Sequence, residues 1–174
     1  MHQPAVPVLG FAAFSGTGKT TLLEQLIPLL TRQGLKIGLI KHGHHDFDID
    51  KPGKDSYRLR QAGASPLMIV SSHRRVIITE IIPPQDPRLH DQLQLFDPTG
   101  LDLVLVEGFK SEHFPKIELH RPTLGHPLLY PHDPDIIAIA SDSPLVVPHY
   151  LPQLDINQPY LVCHFITQQF LGTL

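Results

Sequence analysis

The sequence predicts an α/β fold: a mainly parallel sheet flanked by helices, with an added antiparallel hairpin. Three observations predict it. Short apolar runs such as "VPVLGFAAF" and "LDLVLVEGF" have the length and continuous apolarity of strands buried on both faces. They alternate with stretches of helical spacing, the order that builds parallel sheets. A further pair of apolar runs, "PLMIVSS" and "RVIITEII", sits close enough together to form a hairpin. With 174 residues, the chain is read as a single domain over residues 1–174 with room for a proper core.

The elements follow in order. Val6 to Phe14 reads as a strand bounded by Pro7 and a Gly-rich turn. "KTTLLEQLIPLLTRQG" reads as a helix, with Leu22, Leu26, Leu29 and Leu30 at helical spacing and Gly34 as its stop. Pro28 inside it costs ~3 kcal/mol and predicts a kink offset by packing. Lys36 to His42 is a second strand, followed by the polar loop "GHHDFDIDKPGK". Asp55 to Ala64 is a short helix, with Asp55 or Ser56 as cap and Gly63 near its end. The hairpin comes next, with Ser71 to Arg74 as its turn, and then a weak amphipathic helix, "DPRLHDQLQLF". Leu101 to Phe109 is the clearest buried strand. "PKIELHR" is expected at a sheet edge, Asp135 to Asp142 as a further buried strand, and "QPYLVCHFITQQFL" as a closing helix with Pro159 in its first turn.

Composition excludes several classes. The formal charge is −3, and no run of Lys and Arg makes a local basic patch, so no nucleic acid partner is expected. A single cysteine, Cys163, permits no internal disulfide and suits a reducing compartment. The N-terminus lacks the features of a signal peptide, and no apolar run approaches the ~18 residues of a membrane span. A cytoplasmic chain without a membrane partner is the expectation. Proline, 18 residues, is about twice its usual ~5%. Of these prolines 13 fall after Ile82, which predicts short elements and rigid turns there.

The stretch "AFSGTGKTT", residues 13 to 21, carries the chemistry. It matches the phosphate-binding pattern of Gly, four residues, Gly, Lys and Ser or Thr, except that Ala13 replaces the first Gly. Its place between a predicted strand and a predicted helix is the context the motif requires. The backbone N–H groups of Ser15, Gly16, Thr17, Gly18, Lys19, Thr20 and Thr21 are expected to curl around a phosphate chain. Gly16 and Gly18 allow close approach and positive φ, and the helix N-terminus adds partial positive charge. Lys19 would reach the β and γ phosphates, and Thr20 would ligate Mg²⁺. A methyl group at Ala13 is compatible with this if φ there is negative.

A nucleotide site with Mg²⁺ needs a carboxylate. "LVLVEG" supplies Glu107 at a strand end, with Gly108 leaving room; Asp102 should lie at the far end of the same strand. Lys19 and Glu107 are thus the candidate catalytic pair. The loop "KHGHHDFDIDKPGKDS" has three readings: a transition-metal site, weak because it lacks paired spacing, a segment that meets phosphates, Mg²⁺ or a second substrate, or a solvated, mobile loop. In the second reading Asp46 or Asp48 helps hold Mg²⁺, and Lys41, Lys51 and Lys54 meet an anionic partner.

Three segments, "FSGTGKTTLLEQLI", "GLIKHGHHDFDIDKPGKDSYRLRQAGA" and "LVLVEGFKSEHFPKIEL", together resemble the molybdopterin-guanine dinucleotide biosynthesis protein B family. The likeness spans residues 6 to about 142. It implies a P-loop NTPase-type fold and a homodimer that binds GTP and Mg²⁺ with weak GTPase activity. It also implies an adapter role toward the molybdenum cofactor guanylyltransferase, with molybdopterin as a further candidate ligand. Carried over, Ser15 to Thr21 bind phosphates, and Glu107 lies with Thr20 at the magnesium site, where Asp46 is a further candidate. The usual guanine signature Asn-Lys-x-Asp is absent. Asp142, ending the strand "AIASD", could accept from guanine N1 and N2; a plain strand-ending acid is the other reading. No Gln is obviously placed to orient a water, which fits slow turnover. An ATP-dependent small-molecule kinase or ligase would use the same loop and acidic strand, and would consume ATP at ordinary rates. The hairpin carries few charges for an exposed edge and is expected to be paired or covered.

Overall fold

A computed structural model describes residues 6–43 and 47–173. In chain order the elements are β1 (Val8–Ala12), α1 (Lys19–Arg32), β2 (Ile37–Lys41), α2 (Asp55–Gln61), β3 (Leu67–Val70), β4 (Arg75–Ile78), α3 (Leu89–Leu95), β5 (Leu103–Glu107), β6 (Lys116–His120), β7 (Ile136–Ser141), β8 (Gln153–Asp155) and α4 (Pro159–His164). The chain divides into two compact units, one from residues 1–42 and 89–174, the other from 43–88.

The first unit holds a six-stranded sheet of order β2-β5-β1-β6-β7-β8, parallel throughout. Parallel strands with helices on both faces must be apolar on both faces, and β1 is buried at every position. Leu9 and Phe11 of β1 and Leu103 and Leu105 of β5 pack with Leu22, Leu26 and Leu30 of α1 and Val162 of α4. Alternate residues, Val8, Val104 and Val106, form a second cluster with Leu89 and Phe114. The buried leucines of α1 (Leu22, Leu23, Leu26, Leu30) each contribute about 1.5–3 kcal/mol. Together they outweigh the ~3 kcal/mol cost of Pro28 within that helix. The closing helix starts with Pro159 as expected, then widens into a π-type turn over Phe165–Phe170.

The expectation that "PKIELHR" is an edge strand is corrected. β6 lies between β1 and β7, and all five of its residues are buried. Its alternating charges look solvent-facing but are satisfied internally. Lys116 Nζ lies 3.1 Å from Asp133 Oδ2 and also donates to the Glu112 carbonyl. Glu118 accepts the N–H groups of Leu129 (2.7 Å) and Tyr130 (2.9 Å). The edges are instead β2 and β8, the latter a three-residue strand that the proline-rich sequence conceals.

In the second unit, β3 and β4 pair antiparallel, closed by the Ser71 N–H donating to the Arg74 carbonyl at 2.9 Å. Within this chain the outer faces of the hairpin stay open: Met68, Val70, Ile77 and Ile82 are all exposed. Arg60 of α2 donates to Asp48 (2.8 and 2.9 Å) and to Glu80 (2.8 Å), tying the start of the unit to its end. These carboxylates raise the Arg60 pKa, while backbone and Arg60 hydrogen bonds lower that of Asp48. The expected cap of α2 is also corrected. Lys54 occupies the capping position without a side-chain bond, and the Ser56 hydroxyl donates to Asp50 Oδ1 at 2.9 Å instead. Among the described residues no helix is long and apolar enough to cross a membrane.

Candidate functional site

The parallel sheet directs the segments after β1, β2, β5, β6, β7 and β8 to one edge, where ligands of such sheets bind. After β1 the chain turns through Ala13 to Gly18 into α1. Gly16 (φ 81°) and Gly18 (φ 98°) take the left-handed conformation that side chains resist. Ala13 does not; among the described residues Phe109 alone of the non-glycines has positive φ. The methyl group at the departing position therefore costs no backbone strain. The Thr17 hydroxyl donates to the Phe14 carbonyl at 2.9 Å, closing the loop from inside, and the residue is buried. Ser15, Thr20 and Thr21 face solvent. Among the described residues no side chain caps α1, and no acid lies in its first turn. Its unpaired N–H groups and positive dipole end are thus open to an anion.

Glu107 ends β5 beside this loop, 3.7 Å from Lys19 Nζ and 3.2 Å from Lys41 Nζ. Its side chain is only 12% exposed, so two ammonium groups and little water surround it. Gly108 permits this arrangement: a Cβ there would meet the His42 Cβ at 2.6 Å. The His42 ring stacks on Phe109 with centroids 4.6 Å apart. Asp102, at the opposite end of β5, accepts the Lys36 N–H at 2.8 Å, away from the loop as expected. The loop, Lys19 and Glu107 thus come together. Asp46, the further magnesium candidate, lies outside the described residues with His44 and His45. Among the described residues no group of three His, Cys, Asp or Glu could hold a metal ion.

Arg121, which follows β6 directly, has no counterpart in the sequence reading. Its Nε donates to the Thr17 carbonyl (3.0 Å), Nη1 to Asp142 Oδ2 (2.7 Å) and Nη2 to Asn157 Oδ1 (3.0 Å). The carboxylate of Asp142 is therefore engaged by a guanidinium. A cleft of about 140 Å³ opens here, between the first turns of α1 and the residues Arg121, Ile156 and Asn157. Nearby, His120 is held below its ordinary pKa by burial and by His126, an effect that Asp142 opposes. Burial raises the Glu118 pKa despite its two N–H donors. The sequence could have flagged Arg121 only through its position at a strand end. Asn157 carries no motif at all.

The donor set suits a phosphate chain and a divalent cation: open helix N–H groups, an ammonium, hydroxyls and a carboxylate. Comparison with known proteins gives a consistent picture. Residues 8–142 match the MobB family, molybdopterin guanine dinucleotide synthesis protein B. The chain is 48% identical to the molybdopterin-guanine dinucleotide biosynthesis adapter protein of Escherichia coli (strain K12), over 94% of this chain and 93% of that one. It is 44% identical to the adapter protein of that name from Haemophilus influenzae, over 92% and 88%. The solved structure of a MobB homologue from Bacillus stearothermophilus superposes with a TM-score of 0.69 at 26% identity, covering 96% of this chain and 99% of that one. Sequence and fold agree, and the chain belongs to the molybdopterin guanine dinucleotide synthesis protein B family.

Proposed function

We propose that this chain binds GTP with Mg²⁺ at the loop of residues 13–21 and acts as an adapter in molybdopterin guanine dinucleotide biosynthesis. One observation carries the nucleotide reading: an uncapped helix N-terminus behind two left-handed glycines, with Lys19 and a carboxylate 3.7 Å apart at its mouth. In this reading the amides of Ser15 to Thr21 hold phosphate oxygens, with Thr17 also shaping the loop. Lys19 moves from Glu107 to the β and γ phosphates. Thr20 and Glu107 hold Mg²⁺. The adapter role follows the names of the relatives and makes a guanylyltransferase of the molybdenum cofactor the natural partner, in the cytoplasm. Slow hydrolysis fits the absence of a glutamine from the loop of residues 13–21. The exposed apolar hairpin supports a homodimer, which light scattering at micromolar concentration tests directly.

Calorimetry with GTP, GDP and ATP in the presence of Mg²⁺ tests the central reading. Loss of a charge-assisted hydrogen bond costs about 1.5–3 kcal/mol. Lys19→Ala should therefore weaken GTP by about 10- to 150-fold. Absence of binding to the natural chain would refute the nucleotide site. Rapid ATP consumption would instead favour a kinase.

A further inference from the structure

The three hydrogen bonds of Arg121 link segments that follow three different strands: Thr17 after β1, Asp142 after β7 and Asn157 after β8. A guanidinium only donates, so the amide atom it meets must be the Asn157 oxygen. Nδ2 of that amide is left as the donor. The backbone of Asn157 is fixed as well: its N–H donates to Asp155 Oδ1 at 2.8 Å. The preceding Ile156 N–H donates to the Ser141 carbonyl at 3.1 Å. Asn157 is therefore a positioned amide on the wall of the cleft.

At about 140 Å³ the cleft is smaller than the ~300 Å³ at which whole small-molecule sites begin, so it takes one moiety of a ligand. Gly18 and Thr21 at its rim belong to the start of α1, where the phosphates would lie. Leu22 and Ile156, both nearly fully buried, form its apolar floor. We propose that this cleft takes the base of the nucleotide, and that Asn157, oriented by Arg121, selects a purine with a 6-oxo group. The inference rests on the nucleotide reading above. Guanine presents an acceptor at that position, whereas adenine presents an amino donor. Against Asn157 Nδ2, adenine sets donor to donor. Arg121 is the positioning residue. It also engages Asp142, so the base is read at its 6-position rather than through that carboxylate.

The test compares GTP, ITP and ATP by calorimetry with Mg²⁺ on the natural chain, Asn157→Asp, Arg121→Lys and Lys19→Ala. ITP keeps the 6-oxo group and lacks the 2-amino group. The natural chain should bind GTP and ITP within about three-fold of each other, and ATP about ten-fold or more weakly, as an unpaired polar contact dictates. Asn157 is exposed, so its substitution leaves the core intact. Asn157→Asp removes the donor and keeps an acceptor for Arg121. GTP should weaken about ten-fold while ATP does not, which collapses the ratio. Arg121→Lys should reduce the same ratio while binding stays dependent on Lys19. Binding that depends on Lys19 but shows no GTP preference, or a preference untouched by Asn157→Asp, overturns this inference alone. ITP much weaker than GTP places recognition at the 2-amino edge and also overturns it. No binding of any triphosphate overturns it together with the nucleotide reading.

Discussion

Lys116 is the sharpest test of how the central strand is held. Its side chain is 1% exposed, its Nζ lies 3.1 Å from Asp133 and 3.8 Å from Asp135, and it sits 4.7 Å over the Phe114 ring. Lys116→Met keeps an unbranched apolar stem against β1, where a Cβ on Gly10 would meet Lys116 Cγ at 2.8 Å. It removes only the ammonium. Breaking a buried pair costs about 3–5 kcal/mol. Asp133 and Asp135 are 19% and 28% exposed, so water recovers part of the loss and the estimate falls to ~2–3 kcal/mol. At about 2–4 °C per kcal/mol for a chain of this size, Tm should fall by roughly 4–12 °C. The chain has no tryptophan, so far-UV circular dichroism is the suitable probe. Adding Asp133→Asn should recover part of the loss. A fall below about 3 °C would show that the ammonium contributes no more than methionine packing, and would refute the account of β6 given above.

His120 predicts a pH dependence. Its folded pKa lies below 6.5, chiefly through burial, so the neutral form is favoured in the fold. Its stability contribution is present above pH 6.5 and is lost as pH falls through the lowered folded value. Urea titrations from pH 7.5 downward should show the natural chain losing stability faster than His120→Gln; parallel curves would contradict this. Gly18→Ala isolates backbone strain, since the nearest atom to an added Cβ is Arg121 Nη2 at 3.9 Å and φ is 98°. It should cost about 1–2 kcal/mol in urea unfolding without a steric clash, and an unchanged midpoint would count against the loop geometry.

Much of this architecture is legible in sequence because burial on both faces leaves continuous apolar runs. Val8–Ala12 and Leu103–Glu107 fall inside their predicted spans for that reason. The phosphate-loop pattern is legible because its spacing is local. β6 misleads because Lys116, Glu118 and His120 alternate with Ile117 and Leu119. That is the pattern of a half-exposed strand, and the partners that neutralise it lie in later loops. Pro148 and Pro152 mask β8. Arg121 and Asn157 are illegible for a different reason: they are 36 residues apart and meet only through the strand order.

The strand order also bears on how the chain is made. β2 pairs only with β5, and β1 only with β5 and β6. The ribosome adds about 5–20 residues per second, so the stretch between Val8 and its partner Val104 takes roughly 5–20 s to synthesise. Through that interval β1 and the leucines of α1 have been made without the sheet that buries them. The hairpin of residues 67–78, by contrast, pairs within its own short span. A nascent chain halted before Leu103 therefore presents β1 and β2 without the strand that pairs them. The six-stranded sheet condenses only once β5, which pairs with both β1 and β2, arrives.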